Sequence, residues 1–236
     1  MASVRPTIVF DLDGTLVDTA DDLVATLNAV LTGEKMAPVS REAAIGMVGS
    51  GARVLIESAF AAQGRALTPE MLSRLLSAFI EYYAAHIADA SRPYPGAAAA
   101  LDRFAADGWL MAVCTNKFEG LARELLAALD LDRHFAAISG QDTFAFRKPD
   151  PRHLTETIQA AGGQPDSAIM VGDSRTDIDT ARAAGVPIVA VTFGYSPVPV
   201  ASFNPDRLIA SFDELDAAVG ALLGTGGIQR PAAGLP

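Results

Sequence analysis

Residues 7–19 read TIVFDLDGTLVDT. Ile8-Val9-Phe10 is a short β-branched and aromatic run, the pattern of a buried strand. It ends in two aspartates, Asp11 and Asp13, one leucine apart. A buried strand has reason to finish in charge where its carboxyl end faces a cleft, the edge at which open α/β sheets place their ligands. Gly14 lets the chain turn sharply there and brings backbone N–H groups close to a ligand. Asp11 has no adjacent histidine. A carboxylate needs no base to attack phosphorus, because it is already ionised at neutral pH. The chemistry on offer is an aspartyl-phosphate, with Asp13 close enough to protonate the leaving oxygen and later to deprotonate water. Repulsion between nucleophile and phosphate dianion calls for a divalent cation. The plainer reading of the same residues is an Asp-rich turn that caps the next helix.

Three further apolar runs end in polar groups. AVCTNK (112–117) ends in Thr115 and Asn116, a hydroxyl and an amide able to donate to a phosphate oxygen; both residues are also ordinary turn formers. FRKPD (146–150) sets Lys148 before Pro149, and an ammonium there can neutralise a transferring phosphoryl group. IMVGDSRTDIDTA (169–181) brings Asp173 to a strand end and Asp177 four residues on. Hard oxygen ligands of this kind suit Mg²⁺, and Asp near a helix start is equally a cap. Each piece alone is weak; an acid pair, then Thr, then Lys-Pro, then Gly-Asp-Ser-x-x-Asp in order along one chain is not.

Between the first of these stretches and the rest, residues 17–92 carry helical spacing. Helices are expected over 20–31, from Ser40 to Met47, over 53–62, and from Thr68-Pro69 to 88. Past Tyr94-Pro95-Gly96 the pattern alternates. Strands are expected at 109–114, 136–139, 168–171, 187–191 and 207–210, with helices at 97–107, 119–129, 151–161, 177–184 and 213–223. Such alternation implies parallel strands joined by crossover helices. The domain reading is a core of 1–16 and 93–223, a helical cap of 17–92 and a disordered tail of 224–236.

The chain has 236 residues, half of them hydrophobic, enough for a core with a smaller unit beside it. Its net charge of -10 argues against nucleic-acid or anionic-membrane partners. A phosphate substrate remains compatible, because a site's field is set by its own cation and amides. Cys114 is the single cysteine, there is no leader-like start, and no run approaches the ~18 apolar residues of a membrane span. The expectation is a cytoplasmic monomer or homodimer acting on a small phosphorylated metabolite.

On these residues the chain resembles the haloacid dehalogenase-like phosphohydrolases. FDLDGTLVDT matches the first motif of that family, Thr115 the second, Lys148 the third and GDSRTD the fourth. The resemblance implies a Rossmann-like parallel sheet of order 5-4-1-2-3 with an all-helical cap inserted after the first strand. It implies Asp11 as nucleophile, Asp13 as general acid/base, and Thr115 and Lys148 as phosphoryl binders. It implies Mg²⁺ held by Asp11, the backbone carbonyl of Asp13, and Asp173, with Asp177 supporting the metal from behind. Within the family the chain looks most like phosphoglycolate phosphatases, through DTADDL, VGSGA, YPG, CTNK, GDSRTDIDTARAAG and TFGY. Phe146-Arg147 and Asp150 depart from the usual surroundings of the third motif, where a second lysine or glycine and a histidine are more common.

The cap stretch VGSGA (48–52) has two readings. Gly51 lets backbone N–H groups approach a substrate carboxylate with Arg53 as its charge partner, or the glycines merely separate two helices and Arg53 is solvated. His86, His134 and His153 show no metal-ligand spacing, Cys114 reads as a small buried hydrophobe, and Tyr82-Tyr83 either packs against the core or lines the pocket, with packing the better reading. A sugar-phosphate mutase or a pyrophosphatase uses the same four motifs. A dehalogenase would lack the acid at Asp13, and a phosphonatase needs a cap lysine, of which Lys35 is the only one. A signalling receiver domain shares the Asp, Thr and Lys but not the helical insertion.

Overall fold

The computed structural model describes residues 5–45, 47 and 51–222. The opening run forms β1 (Thr7–Phe10) at the centre of a parallel sheet. The chain then makes a short strand, β2 (Val17–Asp18), and enters four helices: α1 (Ala20–Gly33), α2 (Arg41–Ile45), α3 (Ala52–Ala62) and α4 (Pro69–Ala85). It returns through β3 (Arg92–Pro93), which pairs antiparallel with β2. The helical insertion thus stands on a two-stranded ribbon, an addition to the all-helical expectation. The expected tail, 224–236, and residues 48–50 of the VGSGA stretch lie outside the described residues.

The rest is strand and helix in alternation: α5 (Ala97–Ala106), β4 (Leu110–Cys114), α6 (Glu119–Ala128), β5 (Ala137–Ser139), α7 (Pro151–Ala160), β6 (Ala168–Gly172), α8 (Arg175–Ala184), β7 (Ile188–Val191), β8 (Arg207–Ile209) and α9 (Leu215–Leu222). The sheet order is β5-β4-β1-β6-β7-β8, with every pairing parallel. This is the expected five-strand order carried one strand further by β8.

Strand alternation divides the core. Ile8 and Phe10 of β1 face the side covered by α5, α6 and α9, with Leu101, Leu125 and Val219. Val9 faces the opposite side, covered by α7 and α8, with Leu154, Ile158 and Ile178. Both faces of the sheet are therefore buried, which is why its strands read as continuous apolar runs rather than as polar alternation. Each such side chain taken from water contributes about 1.5–3 kcal/mol.

The insertion has a core of its own, built from Leu27, Leu31, Ile56, Phe60, Leu75 and Phe79, to which the sheet domain lends Leu121 and Tyr195. Two polar contacts fix its base. The buried carboxylate of Asp22 accepts from the N–H of Ala90 and from both the N–H and the hydroxyl of Ser91, which anchors the returning chain beside α1. Helix α1 has no side-chain cap of its own. Tyr195 Oη, 176 residues away, takes the N–H of Thr19 at 2.6 Å and of Ala20 at 2.9 Å, and donates to Asp18. Helix α8 begins at Arg175, two residues earlier than its apolar pattern suggests. Ser174 and Asp177 form a reciprocal capping box, so Asp177 sits inside the first turn.

Candidate active site

The carboxyl ends of β1, β4 and β6 converge, and the four motif stretches meet there. Asp11 follows β1 directly, is nearly fully buried, and accepts the N–H of Leu12 at 2.7 Å. Asp173 follows β6; its carboxylate accepts the N–H of Tyr195 at 2.7 Å and the hydroxyl of Thr15 at 3.2 Å. Asp177 turns one oxygen to Ser174 and the other to Lys148 Nζ at 2.7 Å. Lys148 Nζ also lies 3.0 Å from Asp11. Carboxylate oxygens of Asp11, Asp173 and Asp177 fall within 4.8 Å of one another.

Three buried carboxylates around one ammonium repel one another. Burial, only partly countered by Lys148 and reinforced by Asp177, pushes Asp11 up to about 7. Burial and the neighbouring Asp177 and Asp11 push Asp173 up as well. Burial works against the charge on Lys148, but Asp11 and Asp177 more than offset it and hold it an ammonium. A hard divalent cation fits this donor set, which is all oxygen and short of positive charge. The backbone leaves room for it: a Cβ on Gly14, whose φ is +81°, would come within 2.5 Å of an Asp173 oxygen, and one on Gly194 within 2.4 Å.

Asp13 lies in a different environment. Its carboxylate is turned away from the cluster and accepts Lys117 Nζ at 2.9 and 3.1 Å and the Thr19 hydroxyl at 2.7 Å. Lys117 is buried. Burial opposes its charge, and Asp13 with Tyr83 more than offsets that. Its ammonium stands 4.4 Å from the Tyr83 ring centroid. Thr115 is buried beside them, its oxygen accepting the Lys117 N–H. Asn116 gives its amide to the carbonyl of Lys148, and its own amide oxygen has no partner among the described residues.

A narrow pocket of about 40 Å³ opens between Asp11 and Asp13 on the sheet side and Ala52, Leu55 and Tyr83 on the helical side. Gly51 lines it, with the Asn116 carbonyl 3.3 Å from where a Cβ would stand. Arg53 does not. Ala52, Leu55, Ile56 and Ala59 share the inward stripe of α3, and a residue one step from Ala52 is rotated well off that stripe. Arg53 is exposed, 3.9 Å from Glu57, in a separate groove with Phe60 and Arg65. Of the two readings of this stretch, the solvated Arg53 is the one the structure has.

Lys117, Thr19 and Tyr195 are not singled out by the sequence, and Tyr83, read there as packing, stands at the pocket wall. The only signal for Lys117 and Tyr195 was their place in CTNK and TFGY. His153, set aside for want of ligand spacing, holds the third motif in place. Its Nδ1 accepts the N–H of Lys148 at 3.1 Å, and its Nε2 meets the Gly140 carbonyl. Burial, with Lys148 nearby, pulls it down to about 4, so the ring is neutral. Asp150 caps α7 through the Arg152 N–H, which accounts for an acid at that position. Cys114 is buried, and its thiol is pushed up to about 12 by that burial. Tyr82 stacks on His86 at the surface, whereas Tyr83 is wholly buried at the pocket wall.

The family model for haloacid dehalogenase-like hydrolases matches residues 8–191. A phosphoglycolate phosphatase of Mesorhizobium japonicum is 56% identical over 211 residues, covering 89% of this chain and 93% of that one. A phosphoglycolate phosphatase of Agrobacterium fabrum is 49% identical over 216 residues, covering 92% and 93%. Among solved structures, a predicted phosphoglycolate phosphatase from Haemophilus somnus superposes with a TM-score of 0.85 at 29% identity, over 93% of this chain and 100% of that one.

Proposed function

The chain belongs to the haloacid dehalogenase-like hydrolases, and from that premise we propose a Mg²⁺-dependent phosphatase that hydrolyses a small phosphomonoester, 2-phosphoglycolate. The observation that carries this reading is the contrast at the end of β1. One aspartate sits among carboxylates that call for a cation, and the other, two residues on, is held by an ammonium.

In this reading Asp11 attacks phosphorus. The phosphorus–ester oxygen bond breaks, and Asp13 delivers a proton to the departing alkoxide oxygen. In the second step Asp13 takes a proton from a water molecule, whose oxygen displaces Asp11 and frees phosphate. Lys148 and Thr115 hold the phosphoryl oxygens, and Lys148 offsets the charge that gathers on them. Asp173, Asp11 and the backbone carbonyl of Asp13 would hold Mg²⁺, with Asp177 fixing Lys148 and the start of α8 behind them. When bound, the cation supplies the positive charge that lets an anionic nucleophile approach a phosphate dianion. The apolar cap residues exclude water while the first bond breaks. A cytoplasmic location belongs to the same reading, on the strength of a single, free cysteine; no helix among the described residues is long and apolar enough to cross a membrane.

Phosphate release from a panel of small phosphomonoesters, with Mg²⁺ and with EDTA, tests the proposal. The expected result is metal-dependent release, fastest from 2-phosphoglycolate. Comparable rates on many esters would keep the phosphatase and remove the named substrate. Isomerisation of a hexose 1-phosphate without phosphate release would replace the reaction itself.

A further inference from the structure

The site holds a second buried cation that phosphoryl transfer leaves unused. Lys148 lies between Asp11 and Asp177 and serves the phosphoryl group. Lys117 stands on the other side of the pocket and gives two of its three N–H groups to Asp13. The third faces Tyr83, whose ring centroid lies 4.4 Å from the ammonium. Tyr83 Oη is buried on the same pocket wall, next to the Lys117 ammonium, and has no other side-chain or backbone partner among the described residues. Burying a hydroxyl unpaired is costly, so such a group marks a place where a ligand oxygen belongs. The wall around these two is apolar, made by Leu23, Leu55, Phe79 and Leu121.

We propose that Lys117 and Tyr83 form the subsite for a carboxylate carried one carbon from the phosphorylated oxygen of the substrate. The proposal rests on the phosphatase reading above and says which part of the substrate the pocket reads. The length of such a substrate sets the geometry. One methylene separates the carboxylate of 2-phosphoglycolate from its ester oxygen, so the group that binds the acid must adjoin the group that protonates that oxygen. Lys117 touches Asp13 directly. Arg53, on the outer side of α3, does not reach either. The subsite also joins the two parts of the molecule, since Tyr83 comes from α4 of the insertion and Lys117 from the loop between β4 and α6. A carboxylate bound there ties the insertion to the sheet domain over the reacting bond, and an ester without one leaves both polar groups unpaired.

Ethyl phosphate, in which a methyl group replaces the carboxylate, is the control substrate. The readout is the ratio of kcat/KM for 2-phosphoglycolate to that for ethyl phosphate. Lys117→Met is expected to lower that ratio by about 100-fold, and Tyr83→Phe by about 10-fold, mainly through KM. Lys117→Arg is expected to recover part of it. If Lys117 only holds Asp13 in place, both substrates fall by the same factor and the ratio does not move, which overturns the proposal. Failure of the wild-type protein to hydrolyse either ester would count against the phosphatase reading and leave the subsite to be judged by binding. Calorimetry on Asp11→Asn protein should then give tighter binding of 2-phosphoglycolate than of ethyl phosphate, and the difference should vanish on adding Lys117→Met. Equal binding of the two ligands to the Asp11→Asn protein would overturn it. Far-UV circular dichroism of each variant separates loss of the subsite from loss of the fold.

Discussion

Asp11 and Asp13 are two residues apart at the end of one strand, and they meet opposite electrostatic conditions. Asp11 shares its space with Asp173 and Asp177, and one ammonium, Lys148, serves the group. Asp13 has an ammonium and a hydroxyl to itself. The first carboxyl is pushed up to about 7 by burial and its acidic neighbour, whereas the second is matched charge for charge. Two carboxylates of the same motif thus receive different surroundings from their partners, which is what the proposed nucleophile and acid/base roles require. A site short of positive charge attracts a metal ion and a phosphate behind it. A paired carboxylate is held in one position, ready to exchange a proton with an oxygen that arrives there.

The largest effect should come from Asp11→Asn, which removes the proposed nucleophile. Turnover of 2-phosphoglycolate is expected to fall by roughly 10⁴-fold or more. The same variant relieves the carboxylate cluster, so its thermal midpoint in EDTA at pH 7.5 should rise. Asp13→Asn should lower kcat by roughly 10²–10³-fold. It leaves Lys117 buried without a counter-charge, so stability should drop by about 2 kcal/mol, read from urea unfolding. Shifts of the same sign in the two variants would break the contrast between the carboxylates.

A smaller effect concerns pH. In the metal-free protein Asp11 keeps its proton up to about 7, whereas an unfolded chain loses it near the ordinary 3.8. Asp173 is raised in the same direction. Across that window the folded state binds more protons than the unfolded one, so this contribution to stability is lost as pH rises. A divalent cation held there would bind the ionised form of the cluster. The rise in thermal midpoint that Mg²⁺ produces should therefore be larger at pH 7.5 than at pH 5, and equal increments would mean that the cluster is not the metal site. The smallest effect is expected for Thr19→Val. It takes one hydrogen bond from Asp13 but leaves Lys117 in place, at a cost of about 1 kcal/mol and a few-fold in kcat.

Much of this was legible along the chain, for local reasons. The runs ending at Phe10, Cys114 and Gly172 are apolar because both faces of the sheet are covered, and polar residues begin where the cover stops. Ser174-x-x-Asp177 carries its own cap and fixes where α8 starts. The pair Lys117–Asp13 spans 104 residues and Tyr195–Thr19 spans 176, and no local pattern encodes either. Arg53 shows the converse. A cation beside a glycine-rich turn reads equally as an anion site or as a solvated charge, and one step around the helix decides for the second.

The sequence by itself determined the parallel sheet, the helical insertion after β1 and the family, because strand ends, caps and motif spacing are short-range consequences of residue type. Only the tertiary structure decided which ammonium serves which aspartate, which tyrosine closes the pocket and which tyrosine caps α1. Those contacts depend on how the insertion packs against the sheet, through Leu121, Tyr195 and the chain return held by Asp22. That packing is the sum of many weak apolar contacts, which constrain position strongly only when all of them form together.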